Sequence, residues 1–233
     1  MVIGFYRRAS GRLWGMASCA VMDAGAEIQS FSQHGQDRFV YETFFKSRAE
    51  PGVFVDIGAY DGTLYSNTLL FEKLGWSGLC VEPLPPAFEK LEANRSAICI
   101  NCAVGDRTGQ APFVEVEMPG PYELMYSGLK ANLDEHHARL IREHGRNQKT
   151  YNVVVRPLRD ILREHAIQRI DYLSIDTEGS EWRILRDFDL AAFDVKVISV
   201  ENNARNSKLQ RHLAQHGYRL IRTFGGFDDL FAR

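Results

Sequence analysis

A strand, a glycine-containing turn and a helix-like segment follow one another around residues 52–70, and this pattern constrains the fold more than any other feature of the chain. The apolar run Val53–Val55 leads through Asp56 into a turn at 58–62 that begins and ends with glycine, and residues 63–70 are predicted to be helical. Glycine allows the backbone to turn tightly and to approach a ligand, and the start of a helix presents free N–H groups. The stretch therefore predicts a small-molecule site into which the Asp56 side chain points.

Several later strands also end in an acidic residue. Buried apolar runs precede Glu82, Asp176 and Glu201, just as one precedes Asp56. In open α/β sheets, ligands bind outside the carboxyl ends of the strands. We therefore expect these four carboxylates to surround one crevice.

The position of Glu82 indicates a more specific role. Glu82 follows Gly62 by 20 residues (82 − 62), which is close to the spacing at which an acid binds ribose hydroxyls in nucleoside-binding α/β sites. The alternative is an exposed glutamate at a strand end. We favour the ribose contact because Asp56 ends the neighbouring strand in the same way.

The alternation of strands with helical segments predicts a parallel sheet with helices on both faces. With 233 residues, 45% of them hydrophobic, the chain fits one large domain, which we assign to residues 30–233. Residues 1–29 are predicted to form a poorly ordered N-terminal extension. Residues from about 110 to 157 are polar and interrupt the alternation, and we interpret them as an inserted lid because long connections are usually functional or disordered.

Charge and cysteine content exclude several classes of protein. The formal charge of -2, from 28 basic and 30 acidic residues, gives no reason to expect a nucleic acid or an anionic membrane as partner. Four cysteines are too few for a disulfide scaffold, so a cytoplasmic location is predicted. Cys99 and Cys102 have C-x-x-C spacing, but no second pair accompanies them, and metal or redox use is not favoured.

The hydropathy of the chain and its N-terminal residues indicate whether it could span a membrane or be secreted. No apolar run reaches the roughly 18 residues that a membrane span requires. Arginines followed by a short apolar run near the N-terminus have some features of a signal peptide, so secretion is the minor alternative to the cytoplasm.

Four segments together resemble the FkbM-type family of S-adenosylmethionine-dependent methyltransferases. These segments are Ser32–Asp37, Asp56–Ala59, Gly78–Pro83 and Asp176–Glu181. The resemblance covers about residues 30–233, and the order and spacing of the segments make it specific. It implies a Rossmann-like α/β class I methyltransferase fold, in which a seven-stranded sheet is parallel except for its last strand. The implied chemistry is O-methylation of a small hydroxylated acceptor such as a sugar or glycan, a polyketide or another natural product.

The resemblance also implies residues that bind S-adenosylmethionine. Asp56, Gly58 and Ala59 would cradle the amino-acid end of the cofactor, with Asp61 in the same turn. Glu82 would hold the ribose, in agreement with its spacing.

Two further contacts are implied, and one residue departs from the family pattern. Asn101, at the exit of the third strand, would lie near the adenine, and Gln36 would approach the cofactor from the N-terminal segment. The family often has asparagine after the Gly-Ala pair, where this chain has Tyr60. The resemblance therefore implies no binding role for Tyr60.

The residues themselves favour S-adenosylmethionine over a dinucleotide. The dinucleotide-binding fingerprint has a glycine at its middle position, whereas this chain places the bulky Tyr60 between Gly58 and Gly62. Asp56 would repel a pyrophosphate but suits the ammonium group of a methionine moiety. A nicotinamide-dependent oxidoreductase is therefore a weaker alternative to a methyltransferase. A second alternative is a cofactor-binding module that has lost catalysis.

Methyl transfer to a hydroxyl requires alignment of two atoms and a group that accepts a proton. Asp176 and His137 are the candidate catalytic residues. A histidine in the predicted lid titrates in the useful range, although His137 also fits a solvated position on a charged helix. Asp176 and Glu201 together offer the oxygen ligands that a divalent cation prefers, but we favour a site without metal.

Overall fold

The structure is a computed structural model that describes residues 28–119, 124–133, 135–203, 205 and 207–233, without the side chains of 135–138 and 140. The predicted N-terminal extension lies almost entirely outside these residues. The side chain of His137 lies outside them as well.

Strands and helices alternate along the described chain. The strands are β1 (Val53–Ile57), β2 (Ser77–Val81), β3 (Ile98–Ile100), β4 (Ala103–Val104), β5 (Gly109–Glu117), β6 (Gly128–Leu129), β7 (Asn147–Arg156), β8 (Ile170–Ile175), β9 (Val195–Glu201), β10 (Arg219–Phe224) and β11 (Asp228–Ala232). The helices are α1 (Gln36–Val40), which continues as a π-helical turn over Tyr41–Phe45, α2 (Leu69–Lys73), α3 (Pro85–Asn94), α4 (Glu135–His144), α5 (Leu158–Glu164), α6 (Glu181–Asp187) and α7 (Ser207–Gln215).

The main sheet has seven strands in the order β10-β11-β9-β8-β1-β2-β3. Strand β1 pairs in parallel with β2 and β8, and the same orientation extends to β3 and β9. Strand β11 is antiparallel to both of its neighbours, β9 and β10. The predicted class I methyltransferase fold, with its mostly parallel seven-stranded sheet, is therefore confirmed.

Helices cover both faces of this sheet, as predicted. On one face, Ile161 of α5, Leu185 of α6 and Leu213 of α7 are buried against the central strands. On the other face, Val40 of α1 and Phe71 of α2 belong to a second buried cluster. Strands β1 and β8 are consequently enclosed on both sides, which explains why they are nearly continuous apolar runs in the sequence. In the described ranges, no helix combines the length and apolar character needed to cross a membrane.

The insertion at about 110–157 folds as a second sheet and a helix. Its strands, together with β4, have the order β4-β7-β5-β6, and β5 pairs along its whole length with β7. Helix α4 lies between β6 and β7 in the chain. A hydrophobic cluster of this sheet includes Phe113 and Val153 and also Leu84, which follows β2 in the main domain. The insertion therefore packs beside the carboxyl end of the main sheet.

Two local expectations differ from the structure. The sequence pattern of residues 97–104 predicts the third strand and its exit. In the structure the chain leaves the main sheet after Ile100 and then enters the second sheet at Ala103. Asn101 stabilises this break because its Nδ2 donates to the Glu82 carbonyl oxygen at 2.8 Å. The strand-like pattern of residues 98–104 continues past the end of the main sheet. Only the pairing of β3 with β2 and of β4 with β7 shows where the main sheet ends.

The helix expected over residues 63–70 begins only at Leu69. Asp61 Oδ1 accepts hydrogen bonds from the N–H groups of Thr63 and Leu64, at 2.8 Å each, and this holds the segment in a turn. Ser66 Oγ then accepts from the N–H of Leu69 at 3.1 Å. Short polar side chains compete with the helix for these N–H groups, so a loop forms beside the ligand crevice.

Packing between β1 and β2 gives a first prediction. A Cβ at Gly78 would come within 2.2 to 2.4 Å of three atoms of the Phe54 ring, and Phe54 is fully buried. We expect Gly78→Ala to lower the free energy of unfolding by about 1–3 kcal/mol, measured by urea denaturation, because an overpacked core must shift. Gly109→Ala is the matched control, since a Cβ there has no neighbour within 4 Å. An equal loss in both variants would contradict the packing explanation.

Candidate functional site

Two adjoining cavities open at the carboxyl ends of β1, β2 and β8. One has a volume of about 660 Å³ and the other about 470 Å³. Gly58, Tyr60, Met125 and Asp176 line both of them. The crevice expected from the strand ends is therefore present as a pair of connected spaces.

The larger cavity is mainly apolar. Ile57 and Val81 at the strand ends form part of its wall, Leu84 lies beside them, and Phe113 and Leu129 contribute from the second sheet. A flat, weakly polar group such as an aromatic ring suits walls of this kind.

Glu82 is one of three acidic residues in the lining of this cavity, with Asp176 and Glu178. Its Oε2 accepts a hydrogen bond from the Tyr60 N–H at 3.0 Å, and its Oε1 accepts from the Leu84 N–H at 2.8 Å. Burial raises the pKa of Glu82 to about 8, against the opposing effect of these two N–H groups. Both oxygens are fixed in place and retain lone pairs that a ligand hydroxyl can use.

The smaller cavity is polar, and Asp56 lies in its wall. The Thr68 hydroxyl donates to Asp56 Oδ2 at 2.6 Å. Burial raises the pKa of Asp56, and the positive charge of Arg95 opposes this rise. Beside Asp56, Asn67 donates to the Ser174 hydroxyl, while the buried Oδ1 of Asn67 accepts no hydrogen bond from the described residues.

Arg95 supports this wall and was not expected from the sequence. Its side chain is inaccessible to solvent and forms an ion pair with Glu72 at 2.8 Å. The guanidinium also donates to Thr68 Oγ1 at 3.0 Å and to the Gly62 carbonyl at 3.2 Å. Arg95 thereby connects the turn after β1 to the hydroxyl that binds Asp56. An isolated arginine after a helix carries no spacing signal, so sequence analysis had no means of finding it.

The N-terminal segment supplies Gln36 to the same cavity. Gln36 Nε2 donates to Asp228 Oδ2 at 2.6 Å, and Gln36 Oε1 accepts from the His34 N–H at 2.8 Å. Burial raises the pKa of Asp228 to about 7. Asp228 starts β11 and was missed in the sequence, where only its position after the paired glycines of a turn could have marked it.

A second acidic group lies where β8 and β9 end. Carboxylate oxygens of Asp176, Glu178 and Glu201 lie within 4.8 Å of one another, which is close enough to hold a cation. The Asp176 carboxyl is partly accessible yet largely desolvated, and this burial raises its pKa, as does the charge of Glu178. Burial and the neighbouring Asp176 raise the pKa of Glu201 in the same way. Glu181, by contrast, accepts from the N–H groups of Thr177 and Gly179 in the turn before α6 and has a structural role.

The sequence of the domain matches the profile of the methyltransferase FkbM domain over residues 56–221, which is more than half of the chain. The chain belongs to the FkbM methyltransferase family. It is therefore a methyltransferase, and the resemblance stated from its motifs is confirmed.

Comparison with solved structures gives a more distant likeness. The crystal structure of a candidate RNA methyltransferase from Pyrococcus horikoshii is similar with a TM-score of 0.40 and 12% sequence identity, over 85% of this chain and 83% of that chain. No sequence among the curated proteins matches the chain significantly.

The structure of this FkbM domain brings together most of the expected site residues, but not all. Gln36, Asp56, Gly58, Ala59 and Asp176 line the smaller cavity, and Glu82 lines the larger one. Three other expected residues do not line either cavity. Asp61 holds its own turn, Asn101 donates to the carbonyl groups of Glu82 and Pro83, and a Glu201 carboxylate oxygen lies within 4.8 Å of one of Asp176.

The raised pKa values of the FkbM site predict how stability depends on pH. Burial raises the pKa of Glu82 from 4.5 to about 8 and that of Asp228 from 3.8 to about 7. Between about pH 5 and about pH 7 the folded state retains these protons and the unfolded state has lost them, so the free energy of unfolding falls as pH rises. Burial acts on Asp56 and Asp176 in the same direction.

Urea denaturation at a series of pH values measures this dependence. We expect Asp228→Asn, which keeps an oxygen for the Gln36 amide, to show a weaker fall than the unmodified protein. Exposed carboxyls such as Asp194, whose pKa Lys196 lowers, change protonation only below this range. Stability that rises between about pH 5 and about pH 7 would rule out the expected titration.

Proposed function

We propose that this FkbM-family enzyme is an S-adenosylmethionine-dependent O-methyltransferase that acts on a hydroxyl group of a small acceptor. One observation carries the proposal: an apolar cavity containing Glu82 adjoins a polar cavity containing Asp56, and the two meet at Gly58 and Asp176. A cofactor with an adenosine half and an amino-acid half matches two such environments.

The residues present fit S-adenosylmethionine. Glu82, held by two main-chain N–H groups, is placed to accept hydrogen bonds from ribose hydroxyls, and the apolar wall beside Leu84 suits the adenine. Asp56 and the buried Oδ1 of Asn67, which accepts no hydrogen bond from the described residues, suit the ammonium of the methionine moiety. Gly58 and Ala59 would lie along the same moiety.

Supporting roles follow from the contacts of the remaining residues. Gln36 reaches the polar cavity from the N-terminal segment, whereas Asp61 and Asn101 would act by holding the turn and the strand exit. The insertion at 110–157 lines the larger cavity through Phe113, Ser127 and Leu129 and would act as a lid over the site.

When bound, S-adenosylmethionine supplies an electrophilic methyl group on a positively charged sulfur. Transfer of this methyl group to an acceptor oxygen would break the C–S bond, with its electron pair going to sulfur, and would require the hydroxyl proton to leave. Asp176, which lines both cavities, would accept this proton on a carboxylate oxygen. Burial raises the pKa of Asp176, and a nearby positive sulfur would lower it again toward the ionised form that a base requires.

Two alternatives are less well supported. A dinucleotide-dependent oxidoreductase conflicts with the family match and with the acidic Asp56 wall. A divalent cation held by Asp176, Glu178 and Glu201 would activate the acceptor hydroxyl, but the sulfonium is already reactive, so we favour transfer without metal. His137 stays a prediction as a second candidate base.

Cofactor binding can be tested directly by calorimetry with S-adenosylmethionine. We expect binding to the unmodified protein, and Asp56→Asn to weaken it by at least about thirtyfold, because an ammonium would lose its buried carboxylate partner. Asp160→Asn, which removes a partly exposed carboxylate of α5 that lines neither cavity, is the charge-matched control and should bind normally. Failure of the unmodified protein to bind S-adenosylmethionine would falsify the proposal.

The base can be tested separately from binding. With a labelled methyl group, Asp176→Asn should lower kcat by about 10²- to 10⁴-fold while calorimetry still detects the cofactor, because only proton removal is lost. Glu201→Gln serves as the comparison, since Glu201 lies outside the cavity linings but within the acidic group. An equal loss in both variants, restored by an added divalent cation, would favour the metal route. Intact binding without any transfer would favour an inactive cofactor-binding module.

A further inference from the structure

The charges that line the two cavities have a single sign. Among the described residues there are five carboxylates and no lysine, arginine or histidine in either lining. The five are Asp56, Glu82, Asp176, Glu178 and Asp228. S-adenosylmethionine, with one sulfonium, one ammonium and one carboxylate, carries a single net positive charge. A positively charged ligand group is therefore the kind of partner that this lining lacks.

Two of the carboxylates are compensated by the protein itself. Asp56 accepts from the Thr68 hydroxyl, to which the buried Arg95 also donates. Glu82 has two main-chain N–H donors. These are also the two residues that the proposed cofactor would occupy.

Asp228 differs from both of them. Its residue is only 8% exposed, its Oδ2 accepts from Gln36, and its Oδ1 has no hydrogen-bond donor among the described residues. The charged neighbours that act most strongly on Asp228 are Asp229 and Glu178, which are also acidic. Arg205 lies at the adjacent turn near Gly226 but does not line the cavity. Asp228 is therefore a fixed carboxylate at the wall of a polar space with no cation from the described lining.

Gln36 makes this carboxylate a directional site. Because the Gln36 Oε1 atom accepts from the His34 N–H, the Nε2 atom of the same amide is turned toward Asp228 Oδ2. The second oxygen of Asp228 is left for a donor that a ligand brings. An ammonium group supplies both the hydrogen bond and the positive charge.

We propose that the methyl acceptor is a hydroxylated compound that carries an amine, such as an amino sugar or amino alcohol, whose ammonium group binds Asp228 while its reacting hydroxyl lies at Asp176. Both residues line the smaller, polar cavity. An acceptor bearing phosphate, sulfate or carboxylate would meet no cationic side chain there among the described lining residues. This inference rests on the proposed methyl transfer.

Chemical blocking of amines tests the inference on a mixture of natural metabolites. The full chain and methyl-labelled S-adenosylmethionine are incubated with a small-metabolite extract of the cells that make the protein, either untreated or treated with acetic anhydride in water. This reagent acetylates amines, which removes their charge, and leaves most hydroxyls free. We expect label incorporation to fall by at least about tenfold after acetylation, and the product from untreated extract to be retained on a cation exchanger at about pH 6.

A charge-removing variant tests the assignment to Asp228. Asp228→Asn keeps an oxygen that the Gln36 amide can use, so its affinity for S-adenosylmethionine should stay within about threefold of normal. The metabolites of the extract that a cation exchanger retains serve as the acceptor mixture. The amount of this mixture that Asp228→Asn needs for half-maximal methyl transfer should rise by at least about tenfold. Asp106→Asn, which removes an exposed carboxylate that lines neither cavity, is the charge-matched control and should leave that amount nearly unchanged.

The possible outcomes separate this inference from the proposed function. The inference of an amine-bearing acceptor is overturned if label incorporation survives acetylation, or if a cation exchanger does not retain the labelled product. Either result leaves the proposed methyl transfer intact. The same holds for equal effects of the two variants. No incorporation from any extract, with S-adenosylmethionine bound, removes the proposed transfer and the inference with it.

Discussion

A close main-chain approach between the turn after β1 and the end of β8 underlies the whole site. A Cβ on Gly58 would lie 1.6 Å from the Asp176 carbonyl oxygen, and the φ of Gly58 is +86°, so only glycine fits both the space and the conformation. Main-chain hydrogen bonds of 2.9 Å, from Asp176 to Ile57 and from Gly58 to Val81, fix the three strand ends together. Since Gly58 and Asp176 line both cavities, the position of each cavity relative to the other follows from this contact.

The buried carboxylates of the site differ in whether a buried cation lies near them. Arg95 is enclosed beside Glu72 and Thr68, and it reduces the cost of burying Asp56. Asp228 and Asp176 have no such partner among their strongest charged neighbours, and burial raises the pKa of both. Carboxylates that a protein keeps desolvated without a cation are common at functional sites, where a ligand supplies the missing interaction. The acidic lining, the proposed cationic cofactor and the proposed amine-bearing acceptor are therefore consistent with one another.

Much of the fold was predictable because its signals are local. Apolar runs separated by helical segments indicated a mostly parallel sheet, and the acids at the strand ends indicated one crevice, which contains Asp56, Glu82 and Asp176. The break between β3 and β4 was missed because it depends on which strands pair, and the late start of α2 was missed because polar side chains compete for helix N–H groups. Arg95 and Asp228 were missed for a related reason: their partners are distant in the chain, as Gln36 is from Asp228.

The sequence by itself determined the family, the mostly parallel seven-stranded sheet that the family implies and the acids at the ends of β1, β2 and β8, because glycine turns and strand periodicity are encoded in consecutive residues. Only the tertiary structure decided which of these acids share a cavity, which are held by main-chain N–H groups, and which have no cation beside them. Those properties depend on distances between segments far apart in the chain and on exclusion of water, and neither is encoded in the spacing of residues along it.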